Sequence, residues 1–361
     1  MTASCTSNGV QINHRVISAL ALGDSLGLPF ENLKPAHVSR ILDKSDITQI
    51  TLSNGAALVS DDTEHALLTV LALDEAEGSS DLFEQSLARH LANWCRACPP
   101  GIGGATLKSC LKLILGVSAS KSGVLSAGNG PLMRVPVIAL KYRGHSETRK
   151  AFVKISTRMT HTDPRATAMS LFLSEVMVLA SEKDLTWEDV RSCFIEVLED
   201  CPISEKYAAE MQSKMVAIGA YDPCTATPQD AMKSIGCAKG VSGYILPSAI
   251  AAIWFSIKAQ GDVGEALRLS IEAGGDTDSV AAIACALTAC SPFAVMPRGN
   301  IKPFAGAWAG GNRIPQYAAI LSAVDNSSPE MIAAPPVGEQ FKDNMRAFFA
   351  MMRHILWRRL F

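Results

Sequence analysis

Two helices in this sequence begin where charge is hardest to keep. SDDTEHALLTVLAL (Ser60–Leu73) and GGDTDSVAAIACAL (Gly274–Leu287) set Asp61, Asp62 and Glu64, and Asp276 with Asp278, directly before apolar runs at helical spacing. One carboxylate at a helix start is ordinary, because exposed amides and the macrodipole favour it by roughly 0.3–1 kcal/mol. Two or three are not. A helix that is apolar from its first turn buries its start, and buried like charges repel one another and lose hydration. No lysine or arginine lies within either stretch. On spacing alone two readings stand: a cation shared by the two helix starts, or two separately capped helices.

The rest of the chain favours helices throughout. Hydrophobic residues make up 48% of the 361 positions and aromatics only 6%, so a large core must be built from aliphatic and alanine side chains. That composition suits closely packed helices. Scarcely any segment alternates with period two, which leaves room for few strands. The expected fold is therefore all-α, in a single domain over residues 14–297. A polar, unpatterned arm precedes it at 1–13, and an extension at 298–361, loop-like with a few helical turns, packs on or beside it. Ile17, Leu20, Ala21 and Asp24 share one helical face, the helix breaks at Gly27 and Pro29, and Glu31 falls in the loop beyond. Ser60 is placed to cap the first acidic helix, and Asp163 a helix opening at Pro164.

Charge and cysteine usage exclude several classes. A net charge of −2 and a pI near 6.4 give no global attraction to nucleic acid or membranes. The most apolar stretch, YILPSAIAAIWFSI, is too short and too interrupted to span a bilayer. The N-terminal residues lack the pattern of an export signal. Ten scattered cysteines suit reduced cytosol, and a cytoplasmic location is expected. Cys95 and Cys98 form an isolated C-x-x-C without the second pair a zinc site needs. The basic, amphipathic tail FFAMMRHILWRRLF reads either as a surface-seeking helix or as a terminal helix docked on the body.

The donors around the acidic starts are hard oxygens: carboxylates and the hydroxyls of Ser60, Thr63, Thr277 and Ser279. Such a set points to Mg²⁺, Mn²⁺ or Ca²⁺, with Glu31 able to join from its loop. An EF-hand is excluded, since the D-x-D at 276 lacks the remaining loop positions. SAGNGPLMR (Ser126–Arg134) carries glycines whose backbone N–H groups could cradle a diphosphate, or simply form a turn. His161, in RMTHTDPRA, could be a cleft residue or a packed structural one.

Five blocks together, G-D-S-L-G-x-P-x-E at 23–31, S-D-D-T at 60–63, G-N-G-x-x-M-R at 128–134, M-T-H-x-D-P at 159–164 and G-G-D-T-D-S at 274–279, resemble the ADP-ribosylglycohydrolase family in order and spacing. The resemblance implies an all-α, orthogonally packed domain with a binuclear centre of two Mg²⁺ (or Mn²⁺) ions in a cleft. Carried over, the metal ligands would be Glu31, Ser60, Asp61, Asp62, Asp276, Asp278 and Ser279. Ser60 and Ser279 stand where the family more often has threonine; serine keeps the donor oxygen and loses the methyl. Glu31 or Asp62 would be the catalytic base. Gly103, Gly104, Ser126, Gly128, Asn129 and His161 would contact ADP-ribose. The implied activity is hydrolysis of the bond between ADP-ribose and a modified protein side chain, arginine foremost. The implied partner is an ADP-ribosylated protein; an immunity protein occupying an ADP-ribosylating toxin is the alternative.

Overall fold

Two long helices approach each other so closely that only glycine fits between them. In the computed structural model, which describes residues 2–52, 56–297, 302–323 and 332–358, the first helix, Thr2–Gly27, runs antiparallel along the Thr277–Cys290 helix. A Cβ at Gly23 would lie 2.3 Å from the Ala281 carbonyl oxygen, and one at Gly27 2.5 Å from that of Thr277. The spacing of these glycines, one helical turn apart, therefore sets the contact. Thr277 Oγ1 donates to the Gly27 carbonyl at 2.9 Å and closes the crossing at its acidic end.

Around this pair stand fifteen further α-helices among the described residues, with one short parallel strand pair, Ala57–Leu58 against Phe304–Ala305. The architecture is all-α, in one domain. Its core is aliphatic and alanine-rich, with Trp94, Trp254 and Trp308 as its largest fully buried side chains. The apolar run Ile245–Lys258 forms a helix inside this core. No helix among the described residues is long and apolar enough to cross a membrane.

At the amino end, the first helix already begins at Thr2, so residues 2–13 prolong it instead of leading in as irregular chain. Asn13 Nδ2 donates to Ser322 Oγ at 2.8 Å and ties this extension to the body. The extension beyond residue 297 contributes the helices Arg313–Ser322 and Val337–Arg358; residues 298–301, 324–331 and 359–361 lie outside the described set. The last helix docks by one face. Gln340 accepts from Trp308 Nε1, Asn344 Nδ2 donates to the Ala97 carbonyl at 2.8 Å, and the His354 ring pairs with the Pro29 carbonyl at 2.9 Å. Its other face leaves Phe341, Phe348, Phe349, Met352, Ile355 and Leu356 exposed.

Candidate functional site

The close crossing of the first and Thr277–Cys290 helices brings three acidic segments to one place. Asp24, one turn before the first helix ends, is fully buried. Its Oδ2 accepts from the backbone N–H of Ser60 at 2.8 Å, from that of Thr63 at 3.1 Å, and from the Thr63 hydroxyl. It thus caps the Asp61–Ala76 helix from outside, alongside Ser60, whose own Oγ accepts from Asp62 N. Ser279 Oγ in turn donates to Asp62 Oδ2 at 3.0 Å.

The loops are joined as firmly as the helices. After Gly27 the chain makes a short 3₁₀ turn over Leu28–Phe30 and presents Glu31. Asn32 N donates to the Gly275 carbonyl at 2.7 Å and Gly275 N to that of Leu33 at 2.8 Å, so the Glu31 loop and the Gly274–Asp276 loop move as one. Gly275 has φ of +86° and no room for a side chain, since a Cβ would sit 2.0 Å from the Val241 carbonyl oxygen. Only glycine meets both conditions.

The result is a cleft of about 630 Å³ lined by Glu31, Ser60, Asp61, Asp276, Asp278 and Ser279 at one part of its wall, and by Gly103, Gly104, Ser126, Gly128, Asn129 and His161 at another. Asp62 lies behind this surface, buried beside Ser279, and does not line the cleft. Asn129 links the two parts: its Nδ2 donates to Asp276 Oδ2 at 2.8 Å and to Ser248 Oγ at 3.2 Å. Backbone bonds from Val124 N to Thr160 O, from Thr162 N to Val124 O, and from Ile245 N to Ala127 O stitch the glycine loop to its neighbours. His161 is buried against that loop, where a Cβ on Gly128 would approach its Nε2 to 3.2 Å and one on Gly130 its Cε1 to 3.1 Å.

Among the described residues, no ion pair joins Asp24, Asp61, Asp62, Asp276 or Asp278 to a basic side chain. Burial, then repulsion from Asp24, Asp276 and Glu31, raises Asp61 to about 7. Asp62 and Asp278 are pushed well above the carboxylate range, by burial first and by their acidic neighbours next. Asp24 is raised by burial against the hydrogen bonds that stabilise its charge. Oδ1 of Asp24, of Asp62 and of Asp278 are buried without any hydrogen-bond partner. Of these, only Asp278 lines the cleft, with Asp24 and Asp62 behind it; orphaned carboxylate oxygens beside hydroxyls are the kind of donor an oxygen-seeking divalent cation takes. No three Asp, Glu, His or Cys side chains among the described residues close on a common point as ligands would. Coulomb coupling reaches further than a coordination bond, so the carboxylates raise one another's proton affinity without touching. The residues fit a divalent cation by chemistry and burial; a closed binuclear cage is not formed by them alone.

Several cleft residues had a weaker sequence signal. Glu64 lines the cleft and accepts from Trp94 Nε1 at 2.6 Å; burial raises it to about 8. Asn344, Ala347 and Met351 of the C-terminal helix complete the wall. Beneath the glycine loop, the fully buried Arg134 donates to Ser156 Oγ, to the Ser156 carbonyl, to Thr160 Oγ1 and to His65 Nδ1, all within 3.0 Å. Burial, reinforced by Arg134, lowers His161 to about 3, so its ring is neutral near pH 7.

These features define an all-α domain with an acidic, oxygen-rich cleft that also carries a glycine loop. Within it, residues 13–292 match the ADP-ribosylglycohydrolase family, and the chain belongs to that family. A protein of uncharacterised function from Archaeoglobus fulgidus is 27% identical over 291 residues, covering 78% of this chain and 88% of its own. A solved structure described as an ADP-ribosylglycohydrolase-related protein complex superposes with a TM-score of 0.62 at 20% identity, covering 88% of this chain and 98% of that one. The likeness in structure concerns the fold.

Proposed function

We propose that this chain is a metal-dependent hydrolase that releases ADP-ribose from a modified protein side chain, with arginine as the first acceptor to test. The observation that carries the reading is a cleft with a glycine loop at one part of its wall and Asp278 at another, with the orphaned, buried carboxylate oxygens of Asp24 and Asp62 behind it, in a chain belonging to this family. Glu31, Ser60, Asp61, Asp62, Asp276, Asp278 and Ser279 would hold two Mg²⁺ or Mn²⁺ ions. Bound there, the ions would supply Lewis acidity toward ribose hydroxyls and a water of lowered pKa.

The chain's own residues do the rest. Gly128 and Gly130 leave room beside His161 for a diphosphate to meet backbone N–H groups. Ser126 and Asn129 reach the same part of the cleft, and the neutral His161 serves as a hydrogen-bond donor, not an acid. Gly103 and Gly104 line the same part of the wall, and at Gly104 a Cβ would meet nothing within 4 Å. Glu31 is the better placed of the two candidate bases, because it faces the cleft while Asp62 lies behind it. It accepts a proton from the water whose oxygen bonds the anomeric carbon as the C–N bond breaks; the neutral guanidine that leaves regains that proton, which restores the carboxylate and yields free ADP-ribose and the unmodified arginine side chain. The surrounding carboxylates favour the positive charge that develops on the sugar.

The test is release of ADP-ribose from a panel of defined ADP-ribosylated substrates (arginine, serine and others), before and after EDTA and with Mg²⁺ or Mn²⁺ restored. Release that falls with EDTA and returns with metal is expected, and Asp61→Ala should lower it on the order of 100-fold. No release from any substrate, or release indifferent to Asp61→Ala and EDTA, would overturn the reading.

A further inference from the structure

We propose that Arg134 is a positioning residue for the anion-binding half of the cleft: through Thr160 it fixes which nitrogen of His161 carries the proton, and its own charge, without a carboxylate partner among the described residues, awaits the bound diphosphate. The inference deepens the function proposed above and rests on its assignment of that half of the cleft to ADP-ribose.

The first part follows from donor and acceptor inventory. A guanidinium has donors only. Arg134 Nη2 lies 2.8 Å from Thr160 Oγ1, so the threonine oxygen accepts there. Thr160 Oγ1 lies 2.9 Å from His161 Nδ1; its second lone pair is free to accept, but its single proton has no other acceptor among the described residues, which directs the proton to that nitrogen. Nδ1 then accepts, and the ring proton sits on Nε2, the nitrogen packed against Gly128 at the cleft. A donor is what an anion requires. The same guanidinium bonds His65 Nδ1 at 2.9 Å and the Gly130 carbonyl at 3.4 Å, so one side chain braces both the histidine and the glycine loop.

The second part follows from charge. Arg134 is fully buried, and its hydrogen bonds go to hydroxyls, carbonyls and a histidine nitrogen, with no carboxylate partner among the described residues. A buried cation without a counter-ion is costly unless an anion arrives. The buried aspartates do not serve, because no ion pair between Asp24, Asp61, Asp62, Asp276 or Asp278 and this guanidinium is formed among the described residues, whereas Gly130, which Arg134 touches, lines the cleft. A diphosphate held over the loop would sit one residue layer from the charge.

The experiment compares the wild-type chain with Arg134→Met, Arg134→Lys and Thr160→Val, using ¹⁵N imidazole spectra of His161 and ADP-ribose titration calorimetry in Mg²⁺. In the wild type the spectrum should show protonated Nε2 and bare Nδ1. Thr160→Val should mix the tautomers while keeping the charge, with only a few-fold loss of affinity. Arg134→Met should mix them and weaken ADP-ribose about 10–100-fold. Arg134→Lys should fall between. Should Arg134→Met not fold, the lysine and valine variants carry the test. His161 protonated on Nδ1 in the wild type, tautomers unmoved by Thr160→Val, or affinity within two-fold of wild type in the Arg134 variants would overturn the inference. A wild-type chain that binds no ADP-ribose would instead remove the functional reading, with the spectra still deciding the Arg134–His161 link.

Discussion

Ser279 Oγ donates a 3.0 Å hydrogen bond to Asp62 Oδ2, joining two acidic helix starts that are 217 positions apart in the chain. This bond gives one oxygen of Asp62 a partner while Oδ1 has none. The same pair thus ties two distant helix starts together and leaves one buried Asp62 oxygen without a hydrogen bond.

Removing the hydroxyl should expose how much that bond contributes. Ser279→Ala leaves Asp62 buried with neither oxygen paired, and is expected to destabilise the metal-free protein by about 1–3 kcal/mol. In an Asp62→Ala background the same change should cost much less. A double-mutant cycle by urea unfolding in EDTA measures the coupling. Purely additive costs would show that the two side chains act independently.

Divalent cations should stabilise the folded chain, because a ligand that binds only the native state adds RT ln(1 + [L]/Kd), about 2.7 kcal/mol at a hundred times Kd. A thermal melt with Mg²⁺ or Mn²⁺ should shift upward from the EDTA value, and Asp278→Asn should abolish most of the shift. Equal shifts in wild type and variant would place the binding elsewhere.

Much of this arrangement was legible in the sequence, and the parts that were not share a cause. The acidic helix starts could be read because several like charges at apolar helix heads demand an explanation, which spacing alone leaves open between a shared cation and two separately capped helices. Asp24 was visible only as a carboxylate on the same face as Ile17, Leu20 and Ala21; its role as a remote cap for the Asp61–Ala76 helix depends on a partner 36 residues away. Arg134 was visible as the end of a glycine-rich block, but its burial without a counter-ion depends on the Ser146–Thr160 helix packing over it. The C-terminal helix reached the cleft through Asn344, Ala347 and Met351, small or unremarkable residues with no local signature. Local patterns mark where charge is out of place. They do not say which distant segment answers it.

The first helix crossing gives a sharp steric test. Gly23→Ala would drive a methyl against the Ala281 carbonyl, 2.3 Å from the ideal Cβ, in the backbone of the helix that carries Asp276 and Asp278. Overpacking of this kind costs about 1–3 kcal/mol, and here it would also part the Glu31 loop from the Asp276 loop. Gly144→Ala, where a Cβ meets nothing within 4 Å, is the control and should unfold at nearly the wild-type urea concentration. A tolerated Gly23→Ala would mean that the helices can separate without loss.

The last prediction concerns acid stability away from the cleft. Glu75, near the end of the Asp61–Ala76 helix, meets the His90 ring nitrogen at 3.2 Å, the Ser86 hydroxyl and the Arg89 guanidinium. Partial burial on its own would raise the carboxyl; the bonds from His90 and Ser86 and the charges of His90 and Arg89 outweigh it and hold the group down at about 2. A folded-state pKa below that of the unfolded chain, near 4.3 for a glutamate, means the unfolded state takes up its proton first. The contribution is therefore complete above the unfolded value and is lost as pH falls from there through about 2. Because Glu75 is 41% exposed, solvent screens the pairing, and about 1 kcal/mol or less is expected at low salt. Urea unfolding of wild type and Glu75→Gln between pH 6 and pH 2 checks this: the wild-type advantage should be constant at the upper end, narrow steadily below pH 4, and shrink further in high salt. An advantage that stays level down to pH 2 would show that the Glu75 carboxylate is not the group being stabilised.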